Sequence, residues 1–258
     1  MNDEHCLYAE ELAAKLPEGL DHIYFASSGS EANAMATQFA RVYTKNFPVV
    51  VLKNGYHGMG GTQHLTNVNS WNHNIPKTSG IETSAFPDMF RGPWSHADAG
   101  KMYAKDVKET IEFCTSGKIA LFMAEPIMGV GGLCPQPCGF VNEAVTHVKA
   151  AGGLYLSDEV QTGFGRTGSH YWGFEMLATQ PDIVSMAKQM GNGFPVAAIA
   201  MRKEVANCLG PKVTFSTYGG NPIAMAAGRE VLKVIDDEKL QENSKIMGDL
   251  FLKGLREL

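Results

Sequence analysis

Short apolar runs rich in β-branched residues alternate along the chain with longer stretches whose apolar residues recur at helical spacing. This alternation is typical of a parallel sheet covered by helices. The strands are predicted at residues 22–26, 48–52, 119–124, 154–156, 182–186 and 196–201. The helices are predicted at residues 7–16, 31–43, 104–115, 141–151 and, almost without interruption, 222–258. The pattern therefore predicts an α/β fold with a mainly parallel sheet and helices on both faces.

Two stretches shape the predicted domain organisation. Residues 53–103 are rich in Gly, Asn, His and Pro without a sustained period, and a loop of that length is usually functional. In the last helical stretch, one face is predicted to carry Ala224, Ala227, Val231, Val234 and Ile235. We expect an N-terminal helix within residues 1–20 that leads into a large domain over 21–225, followed by a long helix over 226–258.

Composition and charge exclude several classes of protein. The 258 residues are 44% hydrophobic, so disorder is excluded as the main state. A formal net charge of −5 argues against a nucleic-acid partner. No apolar run approaches the ~20 residues of a membrane span. Five cysteines are few and odd in number, which favours a reducing compartment, and the lone pair Cys134 and Cys138 is interpreted as part of a loop rather than a metal site.

A polar cluster at residues 27–33 stands where a predicted strand gives way to a predicted helix. Gly29 lets the backbone approach an anion, and the helix start supplies unpaired N–H groups and the positive end of a dipole. The hydroxyls of Ser28 and Ser30 add hydrogen-bond donors. The cluster suits a single phosphate, but taken alone an ordinary helix cap with Ser30 as the capping residue is the favoured interpretation.

A carboxylate and an amine follow two later predicted strands. Asp158 ends a buried run, where a carboxylate needs a cationic partner. A protonated ring nitrogen of a cofactor and a neighbouring Arg or Lys satisfy that need equally well. Lys188 follows another buried strand, where partial loss of water favours the neutral amine that forms Schiff bases. In isolation, a lysine that extends to solvent is the simpler interpretation.

Taken together, the strand ends supply a phosphate cradle, a buried carboxylate and an amine, which meet at one edge of a parallel sheet. This set matches the needs of pyridoxal 5′-phosphate, in which a lysine forms the Schiff base and an acid holds the pyridinium nitrogen. The signatures of a P-loop, of a zinc protease helix and of a serine hydrolase elbow are missing. No metal ligation is predicted.

Six motifs occur in order across residues 6–258, namely SGSEAN (28–33), GYHG (55–58), AEPI (124–127), DEVQTGFGRTG (158–168), MAKQMGNGFP (186–195) and STYGGNP (216–222). They resemble the class III aminotransferases, the ornithine and 4-aminobutyrate type within fold type I. The resemblance implies the large domain of a pyridoxal-phosphate-dependent transferase. It also implies that such proteins carry further sequence on both sides, including a small domain, so the chain is expected to be a fragment.

The resemblance assigns the chemistry to four residues. Lys188 would form the Schiff base with the cofactor and then move the proton from the α-carbon of the substrate. Asp158 would pair with the pyridinium nitrogen and keep the ring a strong acceptor of electrons. Glu125 would lie near the amino-acid substrate, where it could pair with a substrate-binding Arg. Gln161 would hydrogen-bond the phenolic oxygen of the cofactor.

The resemblance assigns cofactor binding to further residues. Gly29 and Ser30, with Ser28 beside them, would bind the phosphate. Tyr56 would stack on the face of the ring, and His57 would lie beside it.

A further role implies a partner subunit. Thr217 would reach the phosphate held by the neighbouring subunit, so the resemblance implies a homodimer.

The expected substrates are an amino acid and an oxo acid. Segments 86–94 and 168–174 are most similar to mitochondrial members that move an amino group from alanine to glyoxylate. The implied location is therefore mitochondrial, although the first residues are too acidic and polar for a transit peptide. Members that release phosphate from ethanolamine phosphate are close relatives, so a phospho-lyase stays an alternative. A truncated, non-catalytic remnant that binds cofactor or dimerises is the other alternative.

Three positions depart from the pattern of the family. Gln189 stands where Gly usually follows the lysine, and its side chain is expected either to crowd the turn or to demand a backbone conformation that favours Gly. Met128 replaces a common Gln, and Ser27 replaces a common Asn.

Overall fold

The computed structural model describes residues 2–59, 66–71, 79–95 and 97–258. Its strands are β1 (His22–Ala26), β2 (Val49–Leu52), β3 (Ile81–Ser84), β4 (Leu121–Ala124), β5 (Ile127–Met128), β6 (Cys134–Pro135), β7 (Leu154–Asp158), β8 (Ile183–Met186) and β9 (Ala197–Met201). Its α-helices are α1 (Asp3–Ala13), α2 (Gly29–Thr44), α3 (Ala99–Cys114), α4 (Phe140–Ala150), α5 (Lys203–Ala206), α6 (Pro222–Asp237) and α7 (Leu240–Arg256).

Seven of these strands form one sheet in the order β1-β9-β8-β7-β4-β2-β3. The pairings among β8, β7, β4, β2 and β3 are parallel, whereas β9 runs antiparallel to both of its neighbours. The remaining strands, β5 and β6, form a short antiparallel pair of their own. The predicted α/β class with a mainly parallel sheet is therefore confirmed.

Helices cover both faces of the sheet. Strand side chains alternate between the faces, so Leu156 packs on the side of α2 and Phe39, while Tyr155 packs on the side of α3 and α4. On that second side, beyond α3 and α4, the helices α1 and α6 cover β1, β8 and β9. No helix among the described residues is both long and apolar enough to cross a membrane.

The structure differs from the pattern-based prediction in several elements, including the short β5, β6 and α5, which the pattern did not predict. Strand β3 lies inside the stretch that showed no period. It was not predicted because its sequence, Ile-Glu-Thr-Ser, is short and three of its four residues are polar. The prediction of a single C-terminal helix over 226–258 is wrong. Two helices, α6 and α7, occupy this region, and they are separated at Lys239, whose φ is +51°. No Gly or Pro stands at this break to indicate it in the sequence.

The buried face of α6 also differs in part from the prediction. The buried residues are Ala224, Met225, Gly228, Leu232 and Ile235. The predicted Ala227, Val231 and Val234 are only half-buried. Gly228 is buried because Tyr8 of α1 packs directly on it, so the contact with α1 sets which face of α6 turns inward.

Candidate functional site

A cavity of about 300 Å³ opens where β7 and β8 end and α2 begins. In open α/β sheets this edge, at the carboxyl ends of the strands, is where ligands bind. Nine of the ten residues predicted from the sequence line the cavity: Ser28, Gly29, Ser30, Tyr56, His57, Glu125, Asp158, Gln161 and Lys188.

Asp158 is fixed at the end of β7 by three donors. Its Oδ2 accepts hydrogen bonds from Asn33 Nδ2 at 2.8 Å and from His57 Nδ1 at 2.7 Å. Its Oδ1 accepts one from the backbone N–H of Val160 at 3.1 Å. Because the side chain is only 3% exposed, these contacts replace the water that the carboxylate has lost.

His57 is the cationic partner of Asp158, a role that the sequence left to a cofactor or to an Arg or Lys. Its side chain is completely buried. Burial disfavours the charged imidazolium, but the hydrogen bond and charge of Asp158, together with the charge of Glu125, outweigh it and raise the pKa of His57. Its other nitrogen, Nε2, is buried without a partner among the described residues.

Asn33 is a site residue that the sequence interpretation missed. It lies one turn into α2, is 1% exposed, and also donates to the backbone carbonyl of His57 at 3.2 Å. The Asn33 amide thus binds both the Asp158 carboxylate and the backbone of His57. The signal was present, since Asn33 ends the SGSEAN motif on the helix turn that follows Gly29 and Ser30.

The first turn of α2 forms the phosphate cradle. Ser28, not Ser30, is the N-cap, and its Oγ accepts a hydrogen bond from the N–H of Glu31 at 3.2 Å. The first N–H groups of a helix have no acceptors within it, which leaves those of Gly29 and Ser30 for a ligand. Ser30 is held from outside, since its Oγ accepts from the N–H of Met59 at 3.0 Å.

Gly58 is required for this arrangement. Its φ is +95°, and a Cβ there would lie 2.3 Å from Ser30 Oγ and 2.7 Å from Ser30 Cα. Any larger residue would therefore displace the helix start. The cradle depends on close backbone approach from two segments that are distant in sequence.

Glu125 holds the segment that carries Tyr56 through hydrogen bonds to backbone N–H groups. Its Oε1 accepts from the N–H of Tyr56 and its Oε2 from the N–H of Gly129, both at 3.0 Å. Burial raises the pKa of Glu125, and the charge of Asp158 adds to that effect, although His57 opposes it. No Arg contacts this carboxylate among the described residues. The Tyr56 ring meets Trp71 edge-on, with 4.8 Å between the ring centroids.

Lys188 stands at the opposite wall, in a one-turn 3-10 helix directly after β8. Its φ is +28°, a strained conformation for a residue other than Gly. The side chain is exposed, and its amino group makes no hydrogen bond or ion pair with the described residues. Gln189 does not have a positive φ, so the expected demand for a Gly-like backbone falls on the lysine instead.

A family model described as Aminotransferase class-III matches residues 1–258. The chain belongs to the class III aminotransferases. This membership implies pyridoxal 5′-phosphate as the cofactor, in agreement with the cradle, carboxylate and amine that surround the cavity.

This class III aminotransferase chain is 43% identical to human "Alanine--glyoxylate aminotransferase 2, mitochondrial", over 97% of the chain and 53% of the relative. It is 41% identical to "Ethanolamine-phosphate phospho-lyase homolog 1" of Caenorhabditis elegans, over 97% of the chain and 57% of the relative. A solved phospholyase from Arthrobacter in complex with phosphoethanolamine superposes with a TM-score of 0.92 at 33% identity. That match covers the whole chain and 62% of the structure. The chain spans about half the length of the curated relatives it matches.

Thr217 does not line the cavity of the aminotransferase chain. It is exposed in the segment before α6, which also exposes Phe215 by 83% and Tyr218 by 72%. Of the ten residues predicted from the sequence, this is the one that the fold of a single chain does not bring to the site.

Residues 163–168 (GFGRTG) also have the G-x-G-x-x-G spacing of dinucleotide loops, a match that the sequence interpretation overlooked. In the aminotransferase chain they follow β7 as turns and begin no helix, so they lack the context of a dinucleotide site. Their glycines make room for packing instead. A Cβ at Gly163 would lie 2.8 Å from the Trp172 ring, and one at Gly168 would lie 2.6 Å from the N of Lys245.

Proposed function

We propose that the chain forms the cofactor-binding core of an aminotransferase that moves an amino group from alanine to glyoxylate. The observation that carries the proposal is the meeting of three groups at one cavity: the start of α2, the Asp158 carboxylate and the Lys188 amine. Phosphate binding, ring protonation and imine formation are three separate needs of pyridoxal phosphate, and one group serves each of them.

The residues around the cavity fit this cofactor. The N–H groups of Gly29 and Ser30 and the Ser30 hydroxyl suit a phosphate dianion at a helix start. Tyr56 and Val160 supply apolar contacts for a ring. Asp158 is fixed in a buried site by hydrogen bonds from His57 and Asn33, where its carboxylate could accept from a protonated ring nitrogen. Gln161 adds a side-chain amide to the lining of the same cavity.

When bound, pyridoxal phosphate supplies an aldehyde that condenses with amines and a ring that accepts electron density from the α-carbon of an amino acid. The chain's own part is positioning and proton transfer. Lys188 Nζ has no partner among the described residues, so it would be free to bind the aldehyde carbon, to yield that carbon to the amino group of the substrate, and then to take a proton from the α-carbon and return one. Asp158 stays fixed throughout.

The proposed substrates rest on the relatives. Alanine and glyoxylate are favoured by the 43% identity to the human enzyme that carries their names. A phospho-lyase acting on ethanolamine phosphate is the second candidate, favoured by the 41% identical relative and by the Arthrobacter structure. The non-catalytic chain that binds cofactor, the other alternative left open by the sequence, is the third candidate.

We also propose a homodimer in which Thr217 reaches the phosphate held by the neighbouring subunit. The support is a run of exposed apolar side chains around Thr217, since isolated soluble chains rarely present such a patch. These side chains, exposed by 70% to 87%, are Val213, Phe215, Tyr218 and Ile223. A mitochondrial location is proposed from the names of the relatives.

The direct test is turnover by the purified 258-residue chain after loading with pyridoxal phosphate. Pyruvate formation from alanine and glyoxylate is expected, whereas phosphate release from ethanolamine phosphate should stay at background. The opposite pattern would favour the phospho-lyase. Cofactor binding without either activity would favour the non-catalytic chain. Sedimentation of the same sample measures the proposed dimer.

A further inference from the structure

One side chain joins two segments that both line the cavity, the segment that carries Lys188 and the segment that carries Gln161. Gln189 Nε2 donates a hydrogen bond to the backbone carbonyl of Gln161 at 2.9 Å, although the two residues are 28 positions apart. Gln189 belongs to the turn that carries Lys188, and Gln161 belongs to the loop that follows Asp158. A Gly at position 189 has no side chain and could not form this link.

The turn at Lys188 needs support from outside. Lys188 and Asn192, at its two ends, have φ values of +28° and +45°. Strained conformations of this kind persist only where the surroundings determine them. The half-buried Gln189 side chain is the part of the turn that reaches a neighbouring loop, and its Oε1 is buried without a partner among the described residues.

Gln161 has close contacts at its side-chain amide and at its backbone carbonyl. A Cβ on Gly129 would lie 2.7 Å from Cδ, Oε1 and Nε2 of Gln161, so the amide packs closely on the Gly129 backbone. Its backbone carbonyl is the atom that Gln189 holds. Gly129, Gln161, Lys188 and Gln189 also line another cavity, of about 360 Å³.

We propose that Gln189 is a positioning residue, which sets the Gln161 amide and the Lys188 amine relative to each other. The link is a property of the chain without cofactor. Its consequence for the cofactor rests on the proposed function, in which Gln161 and Lys188 both meet pyridoxal phosphate. Gln189 touches neither substrate nor cofactor in this account and acts through its two neighbours.

The first test uses the cofactor-free chain. Gln189→Met keeps the length of the side chain and removes the donor, and Gln189→Glu is a second variant of nearly identical shape. The matched control is Gln180→Met, because Gln180 Nε2 also donates to a distant backbone carbonyl, that of Glu18, at 3.2 Å. Amide hydrogen exchange over residues 159–165 and 187–193 is expected to rise by about fivefold or more in both Gln189 variants and not in the control.

The second test asks whether the link reaches the chemistry. After loading with pyridoxal phosphate, the pH midpoint of the visible absorption band is expected to shift by about half a unit or more in Gln189→Met. Gln180→Met should leave it unchanged, with thermal midpoints of the two variants within about 2 °C of each other. A merely structural contact would change the thermal midpoint and not the band.

Unchanged exchange in both Gln189 variants would overturn the link, and unchanged absorption would overturn its role in positioning. If the wild-type chain takes up no cofactor at Lys188, the proposed function fails. The exchange measurement then still decides whether Gln189 joins the two segments.

Discussion

The two walls of the cavity are built in opposite ways. Asp158 is 3% exposed and receives three hydrogen bonds, from α2, from the His57 segment and from its own loop. Lys188 is exposed and strained at φ +28°, and its amino group has no partner in the part of the chain that the structure describes. A group that must keep one charge and one position is buried among donors, whereas a group that must exchange partners is left free. Substitutions that change one wall at a time test this difference.

The largest effect is expected for Lys188→Ala. Without the amine, both the covalent attachment and the proton transfer at the α-carbon are lost, so transamination should fall by about 10,000-fold or more. The free energy of unfolding should change little, because the side chain makes no hydrogen bond or ion pair with the residues described. Steady-state assay and urea unfolding measure the two effects, with the exposed Lys118→Ala as control. A strongly destabilised Lys188→Ala would contradict the account of this wall.

Asp158→Asn is expected to damage both activity and stability. The neutral amide cannot hold a protonated ring nitrogen, and it leaves a buried His57 without its counter-ion. Breaking a buried pair in this way costs about 3–5 kcal/mol. Urea unfolding of the cofactor-free chain should show the loss, and turnover should fall by about 100-fold or more. Wild-type stability in Asp158→Asn would contradict the assignment of Asp158 as the buried partner of His57.

Gly58→Ala tests the cradle. The new Cβ would lie 2.3 Å from Ser30 Oγ, so we expect a loss of about 1–3 kcal/mol in stability and about tenfold weaker cofactor binding. Gly117→Ala is the matched control, since Gly117 also has a positive φ (+78°) but nothing lies within 4 Å of the added Cβ. Equal effects in the two variants would assign the loss to backbone strain rather than to the cradle.

The smallest effect is a pH dependence at His57. A raised pKa means that protonated His57 stabilises the fold fully below the ordinary value of about 6.5 and that this contribution is lost as pH rises through the raised pKa. The stability difference between wild type and His57→Gln should therefore be larger at pH 6 than at pH 9. We expect a difference of about 1–2 kcal/mol between the two conditions. Urea unfolding at several pH values measures it, and a difference that grows with pH would contradict the assignment.

Much of the site could be predicted because its residues stand at strand ends and helix starts, where local pattern fixes position. Asp158, Lys188 and the start of α2 were proposed together by this rule, whereas Tyr56, His57, Glu125 and Gln161 were predicted from the family resemblance. Contacts between distant segments could not be predicted in the same way. The role of Asn33 depends on how α2 packs against β7, and the contact of His57 with Asp158 depends on where the loop after β2 lies. No local pattern determines either.

Some local features of the backbone, such as where a helix begins or breaks, also could not be predicted from the sequence pattern. Ser28 and Ser30 are equally good capping residues by type, and the sequence alone did not show that the helix begins at Gly29, which makes Ser28 the N-cap. The break at Lys239 has no Gly or Pro to indicate it, and β3 is too short and polar to show a period. Thr217 stays a prediction, because its proposed contact lies on another subunit.

The central claim is that the free amine and the fixed carboxylate serve one cofactor. The most direct measurement is to add pyridoxal phosphate to the chain, reduce it with borohydride and identify the labelled peptide by mass spectrometry. The account predicts a single label on Lys188, strongly diminished in Asp158→Asn and absent in Lys188→Ala. Label spread over several lysines, or equal labelling of Lys188 in Asp158→Asn, would contradict it.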